Sequence, residues 1–201
     1  ITGGKMSVTD VVVCEDTCAT SELLQLAYAL EKPSSHPIAK AIVQYAEGQF
    51  AADGKQLAAD GKQLAEGAQG QPPLQVTDFE NYAGLGVKGT VNGKNCISGN
   101  QVFISKYISV EDKWRQKADV LADAGKTPIY FAQDGVLWGI LAVADTVKSG
   151  SLEAVQQLQK MGKKVVMLTG DHPRTAKAIA AQVGIEDVVA GVLPEGKEQA
   201  V

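Results

Sequence analysis

The chain has 201 residues, enough for one large domain or two small ones, and 45% of them are apolar, so a hydrophobic core can form. Aromatic residues make up only 5% while alanine and glycine are abundant, which favours helices packed closely on a sheet over a β-sandwich. A net charge of −4 without a long basic run argues against nucleic acid as the main partner, and no stretch approaches the ~20 apolar residues of a membrane span.

The first fifty residues predict one strand followed by two helices. β-Branched side chains dominate residues 6–13, as is typical of a strand, and apolar residues recur at helical spacing in 20–31 and 37–47. Cys14 and Cys18 lie between the strand and the first helix, with three residues between them. Because a metal site needs further ligands that the sequence does not offer nearby, we expect reduced thiols here.

His36 is the first candidate for chemistry. Pro37 suits the first turn of the second helix, and Ser34 or Ser35 is the expected N-cap. His36 would then lie at a helix N-terminus, beside free backbone N–H groups and the positive end of the helix dipole, where a ligand can be received. The alternative is a histidine that only caps the helix or packs against it.

A perfect duplication comes next. Residues 52–58, Ala-Asp-Gly-Lys-Gln-Leu-Ala, are repeated letter for letter at 59–65. Two copies are too few for a coiled coil, and the glycine in each copy costs ~1 kcal/mol inside a helix. We interpret the duplication as a tolerated insertion, either a helix extension or a loop, that carries no chemistry.

The following region, 74–143, predicts an antiparallel sheet with helices on one side. Asn92-Gly93 is the strongest hairpin signal in the sequence, and Asp134-Gly135 marks a second hairpin. A helix is predicted over 110–124. The predicted strands are 74–80, 84–91, 94–99, 128–132 and 136–143.

Beyond this sheet, helices and apolar strands alternate along the chain. The apolar run at 164–168 is typical of a parallel strand buried on both faces, and the alternation predicts part of a doubly wound parallel sheet. The predicted elements are a helix over 149–161, a strand over 164–168, a helix over 174–182 and a strand over 187–192.

Two architectures in one chain imply two domains. We expect an α+β domain over 10–143, with an antiparallel sheet and helices. It would be inserted into a partial α/β domain formed by 1–9 and 144–201.

The loop Thr169-Gly170-Asp171 ends the apolar strand at 164–168. Ligands of doubly wound folds bind at the carboxyl ends of the strands. A threonine hydroxyl there can donate to a phosphate oxygen, Gly170 lets the backbone come close, and Lys197 follows the next strand where a second phosphate contact is expected. The alternative is an ordinary β–α turn in which Asp171 caps a helix.

Four motifs in fixed order carry a family resemblance. They are Glu31 with Ser34-Ser-His-Pro37, then Gly84-Leu-Gly86, then Ser98-Gly-Asn100, and finally Met167-Leu-Thr-Gly-Asp171 with Val192-Leu-Pro-Glu-Gly-Lys197. Together they resemble the large cytoplasmic loop of heavy-metal-transporting P-type ATPases, nearest to the bacterial copper exporters. The resemblance covers almost the whole chain except the duplicated segment.

The resemblance implies a nucleotide-binding domain inserted into a haloacid-dehalogenase-like phosphorylation domain. An imidazole can stack on adenine, a carboxylate can accept from its exocyclic amine, and glycines let a flat ring lie against the backbone. The residues implied for binding ATP are Glu31, His36, Gly84, Gly86, Gly99 and Asn100. Those implied for holding the transferred phosphate are Thr169, Gly170, Asp171 and Lys197.

The resemblance also implies parts outside the chain. The family's phosphorylated aspartate, in Asp-Lys-Thr-Gly-Thr, and its Mg²⁺-binding Gly-Asp-Gly-x-Asn-Asp loop do not occur in the sequence. We therefore expect a soluble pump fragment that binds ATP, meets Mg²⁺ only through residues outside this chain, and forms no phosphoenzyme alone. Its expected partners are the remaining actuator, phosphorylation and transmembrane parts of the parent, at the cytoplasmic face of the cell membrane.

Two other classes of function stay open at this point. A stand-alone haloacid-dehalogenase-like phosphatase with a cap domain would hydrolyse a phosphate ester unaided. A metal-binding module would hold copper or zinc through Cys14, Cys18 and His36.

Overall fold

A computed structural model of the chain describes residues 2–52, 75–148, 150–169 and 173–190. Almost all of the duplicated segment lies outside these residues. The chain divides into two compact units. The larger unit comprises Met6–Arg115 and Pro128–Val143, and the smaller unit comprises Ile1–Lys5, Gln116–Thr127 and Ala144–Val201.

The main sheet contains six strands. They are β1 (Thr2–Val13), β2 (Val76–Tyr82), β3 (Gly86–Val91), β4 (Lys94–Gly99), β5 (Thr127–Gln133) and β6 (Val136–Val147). Their order across the sheet is β1-β6-β5-β4-β3-β2. The pairs β2–β3, β3–β4 and β4–β5 are antiparallel, so the predicted antiparallel sheet is confirmed.

Both predicted hairpin turns have the expected backbone. The φ values are 49° and 78° in Asn92-Gly93, and 47° and 81° in Asp134-Gly135. Positive φ at both central residues is the signature of a type I′ turn, whose twist matches that of the flanking strands. The first turn sets the register of β3 on β4, in which Gly86 pairs with Gly99.

Strand β2 departs from the alternation predicted for 74–80. Asp78 has a φ of 52°, and the register on β3 shifts between Thr77 and Glu80. A bulge of this kind interrupts the two-residue period, and it is common on edge strands such as β2. The half-buried side chains consequently recur every third residue, at Val76, Phe79 and Tyr82.

Four helices lie between these strands in the sequence. They are α1 (Thr20–Glu31), α2 (Pro37–Ala52), α3 (Gln101–Ile104) and α4 (Asp112–Asp123). The bounds of α1 are those predicted, α2 runs longer than predicted, and α3 was not predicted. None of the described helices is both long enough and apolar enough to cross a bilayer.

The core of the larger unit lies between α1, α2 and the sheet. Apolar residues three and four apart fall on one face of a helix, so each helix presents a continuous apolar side to the strands. The core residues include Leu23, Leu26, Leu30, Ile42, Phe50, Val87, Val91, Phe131 and Leu141. This packing fixes the end of α1 beside β3 and β4.

The smaller unit repeats a helix–strand pattern. Besides most of α4, it contains α5 (Ser151–Lys160), β7 (Val166–Leu168), α6 (Pro173–Gln182) and β8 (Asp187–Val189). β7 and β8 are parallel, with Met167 opposite Val188, so the predicted parallel pairing is confirmed. The core consists of Val155, Met167, Ile179, Ala180, Val183 and Ile185.

The prediction that 164–168 is a strand buried on both faces is wrong. Val166 keeps 47% of its surface exposed, whereas its neighbour Met167 keeps only 5%. Side chains alternate along a strand, so Met167 lies in the core and Val166 lies on the opposite face. In the described part of the chain, β7 is therefore covered on one face.

Gly93 and Gly48 form a matched pair for testing the assigned backbone. A Cβ at either position would meet no atom within 4 Å. Because Gly93 has a φ of 78°, Gly93→Ala should lower the free energy of unfolding by ~1 kcal/mol. Gly48 lies inside α2, so Gly48→Ala should raise it by ~0.5–1 kcal/mol. Urea unfolding followed by circular dichroism measures both, and shifts in the same direction would contradict this backbone.

Candidate functional site

A buried carboxyl group lies at the end of helix α1. Glu31 keeps 6% of its surface exposed, and Ser98 on β4 keeps 1%. The Ser98 hydroxyl donates a hydrogen bond to Oε1 of Glu31, and within the described residues the carboxyl makes no other hydrogen bond. Burial raises the pKa of Glu31, and the Ser98 hydrogen bond offsets part of that effect. A buried carboxyl with a perturbed pKa is a recognised mark of a candidate site.

Two paired glycines lie next to Ser98, where β3 and β4 approach closely. A Cβ on Gly86 would clash with the carbonyl oxygen of Ser98 and would lie 2.7 Å from both Gly99 Cα and Phe103 Cδ1. A Cβ on Gly99 would lie 2.5 Å from the carbonyl oxygen of Leu85 and 2.8 Å from Phe103 Cδ1. The packing of the two strands on Phe103 thus requires glycine at both positions, independently of any ligand.

Asn100 joins the end of β4 to the loop before β3. Its Oδ1 accepts from the backbone N–H of Phe103 at 2.9 Å and so caps the short helix α3. Its Nδ2 donates to the carbonyl oxygen of Gly84 at 3.2 Å, and its backbone N–H donates to that of Leu85 at 2.9 Å. Gly84 has a φ of 71°, and a Cβ there would meet no atom within 4 Å. The loop at Gly84 is therefore held by Asn100 and is open on its outer side.

Aromatic side chains pack beside the glycine pair. Phe103 is 1% exposed, and its ring centroid lies 5.0 Å from that of Tyr82 and 5.2 Å from that of Tyr107. The Tyr82 hydroxyl donates to Glu80 at 2.5 Å, which raises the pKa of the phenol. Phe103 fills the space that two side chains at the glycines would otherwise occupy.

His36 is exposed and is the N-cap of α2. Its Nδ1 accepts from the backbone N–H of Ile38 at 3.2 Å, and its carbonyl oxygen accepts from that of Lys40 at 3.0 Å. The expectation that Ser34 or Ser35 caps this helix is wrong. Ser34 Oγ instead accepts from the backbone N–H of His36 at 3.3 Å, because α2 begins at Pro37 and the N-cap position is therefore His36 itself.

The contacts connect five of the six residues predicted to bind ATP. Glu31 reaches the glycine pair through Ser98, Gly86 and Gly99 face each other, and Asn100 holds Gly84. The hydrogen bonds of His36 are confined to its own loop and the start of α2.

Two residues of this site were missed by the sequence reasoning. Ser98 lies in one of the four motifs but has no predicted role, and Phe103 lies outside the motifs. The position of Ser98 in a strand predicts which face of the sheet its side chain occupies. It does not predict the contact with Glu31, which lies 67 residues earlier in the sequence. An asparagine three residues before Phe103 is a typical helix N-cap, so the sequence contains a signal for a helix that includes Phe103.

Of the four residues predicted to hold the transferred phosphate, Thr169 is the one that the structure describes. Thr169 is half-buried after β7, and its backbone N–H donates to the carbonyl oxygen of Val189 at 3.0 Å, which continues the parallel pairing. Gly170, Asp171 and Lys197 lie outside the described residues.

The cysteines are free thiols. Burial, with the nearby charges of Glu22 and Cys14, raises the pKa of Cys18 to about 11. Among residues 2–52, 75–148, 150–169 and 173–190, no three His, Cys, Asp or Glu side chains are placed to hold a metal ion. A cavity of about 410 Å³ beside Cys18 contains none of the residues predicted to bind ATP or phosphate; its lining is Val11, Val13, Glu15, Cys18, Ala19 and Thr20.

The sequence profile of haloacid dehalogenase-like hydrolases matches residues 7–201. The chain belongs to the haloacid dehalogenase-like hydrolase family. This family member is 39% identical over 202 residues to copper-transporting ATPase 2 of Rhizobium meliloti (strain 1021), covering 100% of the chain and 22% of that protein. It is also 39% identical to the copper-exporting P-type ATPase of Staphylococcus saprophyticus, over 98% of the chain and 22% of that protein.

A solved structure agrees with these relatives. The crystal structure of a zinc-transporting PIB-type ATPase in the E2·Pi state matches with a TM-score of 0.79 and 32% identity, over 100% of this family member and 29% of that chain. The predicted resemblance to heavy-metal-transporting P-type ATPases is confirmed. The chain spans little more than a fifth of the length of the curated relatives that it matches.

The glycine pair gives a test of packing. Gly86→Ala should lower the free energy of unfolding by ~1–3 kcal/mol, because its Cβ has no space against Gly99 and Phe103. The control is Gly84→Asn, since asparagine tolerates positive φ and its Cβ meets open space; we expect a change within ~0.5 kcal/mol. Guanidinium unfolding measures both, and equal losses would contradict the close approach of β3 and β4.

Glu31 gives a test of pH dependence. Its raised pKa means that the folded state keeps the proton to higher pH than the unfolded state. Stability contributed here is therefore lost as pH rises from the ordinary glutamate pKa through the raised one. Glu31→Gln removes this titration, so its stability relative to the wild type should increase with pH across that window. Unfolding series from pH 4 to 8 measure it, and parallel pH profiles would contradict a raised pKa.

Proposed function

We propose that this chain is the ATP-binding portion of a heavy-metal-transporting P-type ATPase, and that the transported ion is copper. Copper is favoured because the two relatives described above carry it in their names and are 39% identical, against 32% for the zinc-transporting structure. In the intact pump, this portion would lie on the cytoplasmic side of the membrane, with actuator and transmembrane parts as its partners.

One observation carries the proposal. Three stretches that are distant in sequence meet at one place: the end of α1, the loop at Gly84-Leu85-Gly86, and the turn at Ser98-Gly99-Asn100. The meeting point combines a carboxyl acceptor, Glu31, with an open backbone position, Gly84. A purine needs both, an acceptor for its exocyclic amine and a surface without side chains for its ring. His36, exposed at the start of α2, would contact the base from the next loop.

The domain organisation is part of the proposal. A nucleotide-binding domain over 10–143 would be inserted into a phosphorylation domain formed by 1–9 and 144–201. Support comes from the discontinuity of both compact units, each of which is assembled from separate stretches of chain. The antiparallel sheet of one unit and the parallel strands of the other also suit separate origins.

The smaller unit carries the residues proposed to act on phosphate. Thr169, Gly170, Asp171 and Lys197 would hold the transferred phosphate, and the hydroxyl and ammonium groups would neutralise charge that develops during transfer. The accepting aspartate and the Mg²⁺ ligands would lie outside these 201 residues. The chain alone should therefore bind ATP without forming a phosphoenzyme.

A second candidate function is a phosphatase, because the family description itself is that of a hydrolase. It predicts that the purified chain hydrolyses p-nitrophenyl phosphate with Mg²⁺ present. Absence of turnover under conditions in which ATP binds would remove this candidate.

Two substitutions of His36 separate its proposed contact with ATP from its role as the N-cap of α2. His36→Asn should keep a cap acceptor and leave the free energy of unfolding nearly unchanged, whereas His36→Ala should lower it by ~1 kcal/mol. If the imidazole contacts ATP, both variants should weaken ATP binding equally, by about tenfold. Calorimetric titration measures the affinities, and Lys40→Ala, an exposed change on the same helix, is the control.

Amide chemical shifts provide the direct test of the site. Millimolar ATP should shift the amide signals of His36, Gly84 and Gly86 in the ¹⁵N-labelled chain. Amides on β1, at the other edge of the sheet, should stay in place. If the three signals do not move while ATP binds, the assigned site is wrong.

A further inference from the structure

Ser98 is the only hydrogen-bond partner of the Glu31 carboxyl in the described part of the chain. Both side chains are almost fully buried, and the bond uses Oε1 of the carboxyl. A carboxyl without this partner could rotate about its terminal bonds, since such torsions are broad. The hydroxyl therefore fixes the plane of the carboxyl and leaves Oε2 as the oxygen available to a ligand.

We propose that Ser98 is a positioning residue for adenine recognition: its hydroxyl holds Oε1 of Glu31 so that Oε2 accepts from the exocyclic amine of the base. This inference rests on the proposed function, because it assigns Glu31 to the ATP site. Ser98 itself does not touch the nucleotide. It is placed for this task by its register on β4, where it pairs with Val87 on β3 and Phe131 on β5.

The ionisation of Glu31 depends on the same hydroxyl. Ser98 lowers the pKa that burial raises, so the hydrogen bond enlarges the pH range in which the carboxyl is charged. A charged carboxylate accepts a hydrogen bond more strongly than a neutral one. Loss of the hydroxyl should both free the carboxyl and reduce its charged fraction at a given pH.

The charged side chains on neighbouring elements are directed to other partners. Lys32, next on α1, donates to the Tyr28 hydroxyl at 2.9 Å, and Lys88 on β3 pairs with Glu80 at 3.8 Å. Lys40 on α2 and His36 are exposed. The pKa of Glu31 is accordingly shifted by two causes, burial and the Ser98 hydrogen bond, and by no charged group.

The experiment measures ATP affinity from pH 5 to 8 for the wild-type chain, Ser98→Ala, Glu31→Gln and the double variant. We expect Ser98→Ala to weaken binding at neutral pH by about tenfold and to move the midpoint of the pH dependence upward. Affinity should fall as the pH drops through the pKa of Glu31. Ser7→Ala, on β1 at the far edge of the sheet, is the control and should match the wild type.

The double variant separates positioning from general loss of structure. If Ser98 acts through the carboxylate, Ser98→Ala should have little further effect on affinity in the Glu31→Gln background. An equal effect in both backgrounds would overturn the inference. ¹³C-detected titration of Glu31 gives a second measurement that does not need nucleotide, and Ser98→Ala should raise that pKa.

The outcomes distinguish this inference from the proposed function. If the wild type binds ATP and Ser98→Ala matches it in affinity and in pH midpoint, the proposed function stands and the positioning role fails. If the wild type does not bind ATP, both fail, even where NMR shows that Ser98 shifts the pKa of Glu31.

Discussion

The close approach of β3 and β4 at Gly86 and Gly99 is the constraint on which the candidate site depends. No side chain separates the two strands there, and Phe103 fills the space beside them. The approach brings the loop at Gly84 within reach of Asn100, and it places Ser98 where the end of α1 passes. A single packing requirement thus sets the positions of groups that come from three parts of the sequence.

Because of that constraint, Gly86 and Gly99 have a structural role in addition to the ligand-binding role that the sequence predicts. The sequence interpretation treats Gly86 and Gly99 as a surface for a flat ring. In the structure, both are required by contacts inside the protein, and Gly84 is the one with open space around it. The two roles are compatible, since a backbone that is rigid from within is also a well-defined surface for a ligand. Stability measurements on Gly86 report on the packing, and binding measurements on Gly84 report on the ligand.

The buried Glu31 carboxyl lowers the stability of the fold, whereas the close packing at Gly86 and Gly99 raises it. A carboxyl in this environment is costly to ionise, and one neutral hydroxyl compensates for it only in part. Proteins commonly retain such groups at sites where function needs them, at the expense of stability. Helix α1 can hold one because Leu23, Leu26 and Leu30 anchor it firmly in the core.

Sequence reasoning predicted most of the elements and part of the site, for physical reasons that can be named. Helix α1 and strand β4 have the predicted bounds because apolar spacing and the Asn92-Gly93 turn are local signals. The bulge at Asp78 and the exposure of Val166 were not predictable, because both depend on which neighbours cover a strand. The Ser98–Glu31 contact was not predictable for the same reason. A strand pattern predicts which face of the sheet Ser98 occupies, but only tertiary packing brings Glu31 to it.

The capping of α2 by His36 has a consequence for the ring itself. Because Nδ1 accepts the backbone N–H of Ile38, that nitrogen carries no proton, and the neutral imidazole is restricted to its Nε2–H tautomer. Any outward hydrogen bond from the ring edge is then a donated one. A ring flip would put Cδ2 in the place of Nδ1 and remove the acceptor for the backbone N–H of Ile38, so the orientation of this imidazole is tied to the first turn of α2.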